Sequence, residues 1–257
     1  MANIAIIIPV HEYNDTVKTY LNTALNSIPQ NMNIYISCPR NISSLIVTDV
    51  AENIEILDGA TDTSFQALVN YAVNNIEDCD WFSILEFDDT YTNYWFDEVN
   101  KYIDFYPETS IFLPLTDLMQ EHDGKINFVG YGNEAPLASA FSNELEFIDF
   151  DVLESYFDFY LTGSVFNKAD FLNVGGLKES MKLTFWYEFL LRLTNSGKKV
   201  RTIPKVGYHH LINRPNSLYT IYRDTIDEDE GKWWYDLARD EYRFNKDRNK
   251  QYEKEED

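Results

Sequence analysis

The sequence predicts an α/β fold with a mostly parallel central sheet and helices on both faces, and three observations lead there. Short runs rich in β-branched residues recur at positions 4–8, 34–36, 54–57 and 81–85. Between them lie stretches whose apolar residues fall three and four apart, the spacing of a helix that packs along one side. Proline, glycine and short polar residues gather at the boundaries, where strands stop and helices are capped. This alternation is that of a sheet whose ligands lie beyond the carboxyl ends of its strands.

Taken in order, Ile4-Ala5-Ile6-Ile7-Ile8 reads as a strand covered on both faces and ended by Pro9. Asn14 or Asp15 caps a helix with Val17, Tyr20, Leu21, Ala24, Leu25 and Ile28 on one side, stopped by Pro29. Strands at 34–36 and 54–57 flank a short periodic segment at 42–47. Thr63 or Ser64 caps the next helix, with an apolar stripe from Phe65 to Ile76, and a strand at 81–85 follows. A helix at about 94–106, a strand at 111–115 and a hairpin turn at 121–125 continue the series. Beyond these, the pattern predicts an acidic, aromatic helix near 149–160, a strand at 164–166 and a short helix at 169–173. A Gly175-Gly176 turn, a helix at 185–195 closed by Gly197 and a last strand at 200–203 complete it. Residues 1–223 read as one domain and residues 224–257 as a charged helical extension, its last dozen residues frayed.

The 257 residues carry 43 acids against 21 bases, a formal charge of −22, which disfavours a general grip on nucleic acid. No apolar run is long enough for a membrane span. Cys38 and Cys79 show no CxxC or metal spacing, so the expected location is cytoplasmic.

The segment WFSILEFDDT brings Glu86, Asp88 and Asp89 to the end of a strand. Such acids are either a solvated turn or the ligands of a hard divalent cation, Mg²⁺ or Mn²⁺, which relieves their repulsion. IAIIIPVHEYND, ILEFDDTY, GSVFNKADFLNVGGLKES and EFLLRLTNSGKKV stand in the order and approximate spacing of the family 2 glycosyltransferases of GT-A fold. The chain resembles that family over about residues 3–220. The resemblance implies a GT-A fold and a metal-dependent transferase of the hexosyl type, moving a sugar from a nucleotide-diphosphate sugar, a UDP-sugar, to an acceptor hydroxyl with inversion. It sets Glu86, Asp88 and Asp89 on the DxD-type region, with Asp88 and Asp89 favoured as the ligands that hold Mn²⁺ or Mg²⁺ on the donor diphosphate, and Pro9, Val10, His11 and Glu12 on the first nucleotide-contacting loop.

Further expected donor contacts are Arg40, Asp58, Gln66, Asp88, Arg214 and Ser217. The second strand ends in Cys38-Pro39-Arg40 where the family commonly has an acid, so Arg40 is either a nucleotide contact or a surface residue, and Asp58 and Asp62 are alternative acids. The segment VGYHHLINRPNSLY resembles a late loop that closes over the diphosphate; neighbours in an extended segment point opposite ways, and His210 is favoured over His209 as a metal ligand. Phe185-Trp186 occupies the place of the family's Glu-Asp pair. Glu188, one turn before Arg192, is the expected catalytic base or else a structural partner of that arginine. Trp186 and Tyr187 are the expected acceptor contacts, with core packing the alternative for Trp186. Two other readings stay open. A nucleotidyltransferase would want a glycine-rich basic loop that PVHEYNDT lacks, and the missing Glu-Asp pair keeps open a glycan- or nucleotide-binding module without turnover.

Overall fold

The computed structural model describes residues 2–47, 49–51, 54–142, 147–215 and 217–255; at 139–142, 151 and 243–255 it describes the helical backbone alone. The first part alternates as expected: β1 (Ile4–Pro9), α1 (Asp15–Asn26), β2 (Asn33–Ser37), α2 (Arg40–Val47), β3 (Ile54–Leu57), α3 (Phe65–Asn75) and β4 (Trp81–Ile84). Then come β5 (Thr90–Tyr91), α4 (Trp95–Phe105), β6 (Thr109–His122), β7 (Lys125–Gly132), α5 (Glu134–Ser142), α6 (Phe150–Ser155) and β8 (Val165–Asn167). The chain continues through α7 (Lys168–Asn173), α8 (Phe185–Asn195), β9 (Lys199–Leu211), α9 (Leu218–Thr225) and α10 (Glu228–Glu255).

One sheet runs in the order β3-β2-β1-β4-β8-β6-β9-β5, with β7 beside β6. The β3-β2-β1-β4 part is parallel, β8 lies antiparallel between β4 and β6, and β6 and β9 pair in parallel again. Alternation along β1 shows why the sheet needs helices on both sides. Ala5 and Ile7 enter one core with α3 and α8 residues such as Val69, Val73 and Phe189, whereas Ile4, Ile6 and Ile8 enter the other with Val17, Leu21 and Trp95 of α1 and α4. Full burial of each isoleucine contributes about 1.5–3 kcal/mol. Asn14 caps α1, accepting from the Thr16 and Val17 amides, and Ser64 rather than Thr63 caps α3.

β5, α5 and α9 stand where no element is expected, and three other elements end differently from expectation. The acidic helix stops at Ser155: Tyr156 is extended (φ −131°, ψ 132°), and the following strip is tied instead to Asn133, whose side chain accepts from the Tyr160 amide and donates to the Tyr160 and Pro114 carbonyls. Pro204 does not end β9, because a register shift opposite Pro114 and Leu115 absorbs the irregularity and pairing resumes at Val206. Of the final dozen residues, expected to fray, 246–255 carry α10 on to Glu255, and the last two lie outside the described residues.

Candidate active site

β2 and β4 flank β1 on opposite sides, so the chain reverses direction across the sheet at β1 and a crevice opens beyond the carboxyl ends of β1 and β4. The residues that leave those ends are Val10 to Glu12 and Leu85 to Asp89. Of these, His11, Glu86, Phe87 and Asp88, with Pro9, border a cleft of about 760 Å³, whose other walls come from the 157–162 strip, the start of α8 and the segment from His210 into α10.

Glu86 to Asp89 form a tight turn in which the Asp89 amide donates to the Glu86 carbonyl. Phe87 turns inward, with the His11 ring 5.6 Å away and the Arg214 guanidinium 4.9 Å from its centroid. Strand register then delivers the histidine. Thr90 and Tyr91 pair antiparallel with His209 and Tyr208, so His210 arrives beside Asp89. Its Nδ1 lies 2.7 Å from Asp89 Oδ2, while the Leu211 amide donates to Oδ1 at 2.7 Å. Alternation sends His209 the other way, to Asp117 at 3.1 Å. Tyr208 supports the corner from below: its hydroxyl accepts from the Glu86 amide at 3.0 Å. Gly163 permits this, since its φ of +81° is left-handed and a Cβ there would lie 2.4 Å from the Tyr208 ring.

One ligand atom from each of Glu86, Asp89 and His210 lies within 4.8 Å of the other two. Two carboxylates and an imidazole are hard-to-borderline donors that suit Mn²⁺. The electrostatics fit a cation as well. Burial, and then the charge of Asp89, push both Glu86 and Asp88 well above the usual carboxylate range, against the pull of His210 and Arg214. For His210, burial opposes the imidazolium, but the charge and hydrogen bond of Asp89 outweigh it and raise the ring. Burial and then Arg214 lower His11 to about 4, so it is neutral at pH 7.

Asp88, expected as a metal ligand beside Asp89, faces Arg214, whose Nε donates to Oδ2 at 2.5 Å. Arg214 also approaches Glu12 at 3.7 Å. Pro9, His11, Gln66, Ser217, Trp186 and Tyr187 all line the cleft. Gln66 donates to the Met181 carbonyl at 2.7 Å, and its own Oε1 has no hydrogen-bond partner among the described residues. Ser217 caps α9. Trp186 stacks on Phe166 at 5.9 Å, and Tyr187 on Tyr235 at 5.1 Å. Val10, by contrast, is fully buried in the core. Arg40 is exposed and approaches Asp58 at 3.9 Å, and Asp58 accepts from Ser43; neither borders the cleft.

Glu188 is placed where a base is not accessible. It is fully buried, outside the cleft lining, and the Arg192 Nε and Nη2 donate to its two oxygens at 2.8 Å each. Lys178 lies at 3.2 Å, and the Tyr242 hydroxyl donates to the same carboxylate. Besides Glu86 and Asp88, the cleft is bordered by the carboxylate of Asp158, which the sequence pattern did not single out; burial raises its pKa. It lies in the strip read as helix, so the only signal for it was tertiary.

No family model matches the sequence, and no curated protein matches it either. Solved structures do match. S. aureus TarS residues 1–349 superposes with a TM-score of 0.59 at 14% identity, over 82% of this chain and 60% of that one. The same protein in complex with UDP-GlcNAc gives 0.59 at 11% identity over 85% and 60%, and in complex with UDP 0.58 at 13% over 82% and 61%. The chain thus spans about three-fifths of the TarS fragment it matches. At this identity the likeness is one of architecture: the chain has a GT-A-like α/β fold, similar to that of the glycosyltransferase TarS.

Proposed function

We propose that the chain is a glycosyltransferase that takes a sugar from a UDP-sugar held with Mn²⁺ or Mg²⁺ and passes it to an acceptor hydroxyl. The observation that carries this reading is the juxtaposition of Glu86, Asp89 and His210 at a strand end, with Glu86 and His210 lining a large cleft. The complexes of a similarly folded protein with UDP and UDP-GlcNAc support the choice of donor.

In this reading Glu86, Asp89 and His210 hold the cation, which supplies countercharge to the departing diphosphate. Arg214, kept in place by Asp88, offers its remaining N–H groups to phosphate oxygens. Gln66 Oε1 is a free acceptor for a donor N–H or hydroxyl. Trp186 and Tyr187 shape the acceptor side with aromatic faces. Since Glu188 is enclosed, Asp158 takes the proton of the acceptor hydroxyl; its raised pKa suits a general base, and one displacement with one base inverts the anomeric centre.

The enclosure of Glu188 also favours one alternative, a nucleotide- or glycan-binding module without turnover. Incubation with UDP-sugars and Mn²⁺ separates the two. UDP release is expected, and Asp158→Asn should keep UDP binding while cutting turnover by about 10²–10⁴-fold. UDP binding without release from any donor establishes the module instead.

A further inference from the structure

A second hollow, a groove of about 340 Å³, lies against the outer side of the 157–160 strip. That volume is within the range of small-molecule sites, about 300–1,000 Å³. The groove and the cleft share Phe157, Asp158 and Tyr160, so the strip is a common wall whose two sides face two spaces. The wall is fixed. Asn133, itself at a left-handed φ of 65°, makes three hydrogen bonds to it and to Pro114, and Tyr160 packs on Gly132, where a Cβ would sit 2.6 Å from its ring. On the cleft side, the Tyr160 ring lies 5.5 Å from that of His210.

The chemistry of the groove is distinctive. Tyr131 and Phe157 leave about half of their surface in solvent, at 47% and 56% exposure, and line the groove together with the acids Glu134 and Asp158. Exposed aromatic faces match the C–H faces of a pyranose, and carboxylates accept hydrogen bonds from its hydroxyls. The same carboxylates, on a chain of charge −22, disfavour an anionic ligand.

We propose that this groove is a saccharide subsite of the acceptor. The acceptor is accordingly a neutral oligosaccharide of at least two units, whose reacting sugar lies in the cleft at Asp158 and whose next sugar lies over the wall, between Tyr131 and Phe157. The proposal rests on the glycosyl-transfer reading and names the acceptor class for it.

Saturation-transfer NMR on the full chain with UDP and Mn²⁺ tests it, using glucose, galactose and N-acetylglucosamine as monosaccharide probes and cellobiose, maltose, lactose, chitobiose and their trisaccharide relatives as the longer ones. At least one longer probe should bind more tightly than its component sugars. Tyr131→Ala and Glu134→Gln, which touch only the groove, should each weaken that binding by about three- to tenfold and leave the affinity for UDP unchanged. Overturning results are no binding of any longer probe, binding no tighter than that of monosaccharides, or variants that bind as the wild type does. If the saccharides bind and respond to the variants while UDP does not bind, the groove stands and the transferase reading falls; UDP binding without saccharide binding gives the reverse.

Discussion

Two ionic sites in this protein are built from similar residues and have opposite characters. At the carboxyl end of β4, Glu86, Asp88 and Asp89 share one arginine and one histidine, Glu86 and Asp88 border the cleft while Asp89 is buried beside His210, and two of the three acids are pushed up in pKa. Behind α8, a single acid, Glu188, is met by Arg192, Lys178 and the Tyr242 hydroxyl with no opening to the cleft. There burial alone would raise the carboxyl, but the hydrogen bonds and charge of Arg192, then Tyr242 and Lys178, hold it below the usual range. Arg192 also donates to the Val174 and Gly176 carbonyls, so the cluster fastens α8 to the glycine turn and, through Tyr242, to α10. The lesson is that charge balance and access, more than acidity, mark a carboxylate as a working group. A surplus of acid in front of a cleft invites a cation, whereas a saturated acid is a fastening.

Substitutions can break this contrast. The largest effect is expected from Glu188→Ala, which leaves half-buried Arg192 without its carboxylate and should cost about 3 kcal/mol in urea unfolding. Asp89→Asn should act on the other axis. It relieves repulsion in the corner, so stability changes little, while Mn²⁺ binding read by calorimetry weakens by at least the roughly 10–100-fold that loss of an outer-sphere partner costs. The smallest effect is in acid. Because the folded Glu188 carboxyl lies below its unfolded value of about 4.3, the stability it adds is present above that pH and lost as pH falls through the lower folded value. Glu188→Gln should therefore flatten the decline of stability below about pH 4 relative to the wild type, as followed by circular dichroism.

What was legible in the sequence was local. The isoleucine run of β1, the Asn14 cap and the acidic turn after β4 are each decided by neighbouring residues, and each falls where the pattern puts it. The extension of β9 past Pro204 was not legible, because it depends on how β6 accommodates the irregularity. Nor was the extended strip from Tyr156 to Tyr160, whose composition suits a helix but whose backbone is held by Asn133 from a distant part of the chain. Asp158 was hidden with it. Glu188 shows the same limit from the other side: its spacing to Arg192 allowed both a fastening and a base, and the approach of Lys178 and Tyr242, which sequence spacing does not reveal, encloses it. Glu86, two residues before Asp88, belongs to the legible motif, but its grouping with Asp89 and His210 in place of Asp88 follows from Arg214 reaching Asp88.

The central claim, that the β4 corner holds a nucleotide diphosphate through a cation, is tested most directly by calorimetric titration of UDP into the wild-type protein with Mn²⁺ and again with EDTA. Binding in Mn²⁺ that weakens by at least about tenfold in EDTA, a difference of about 1.4 kcal/mol, is the predicted result. Equal affinity under the two conditions, or no binding in either, would contradict it.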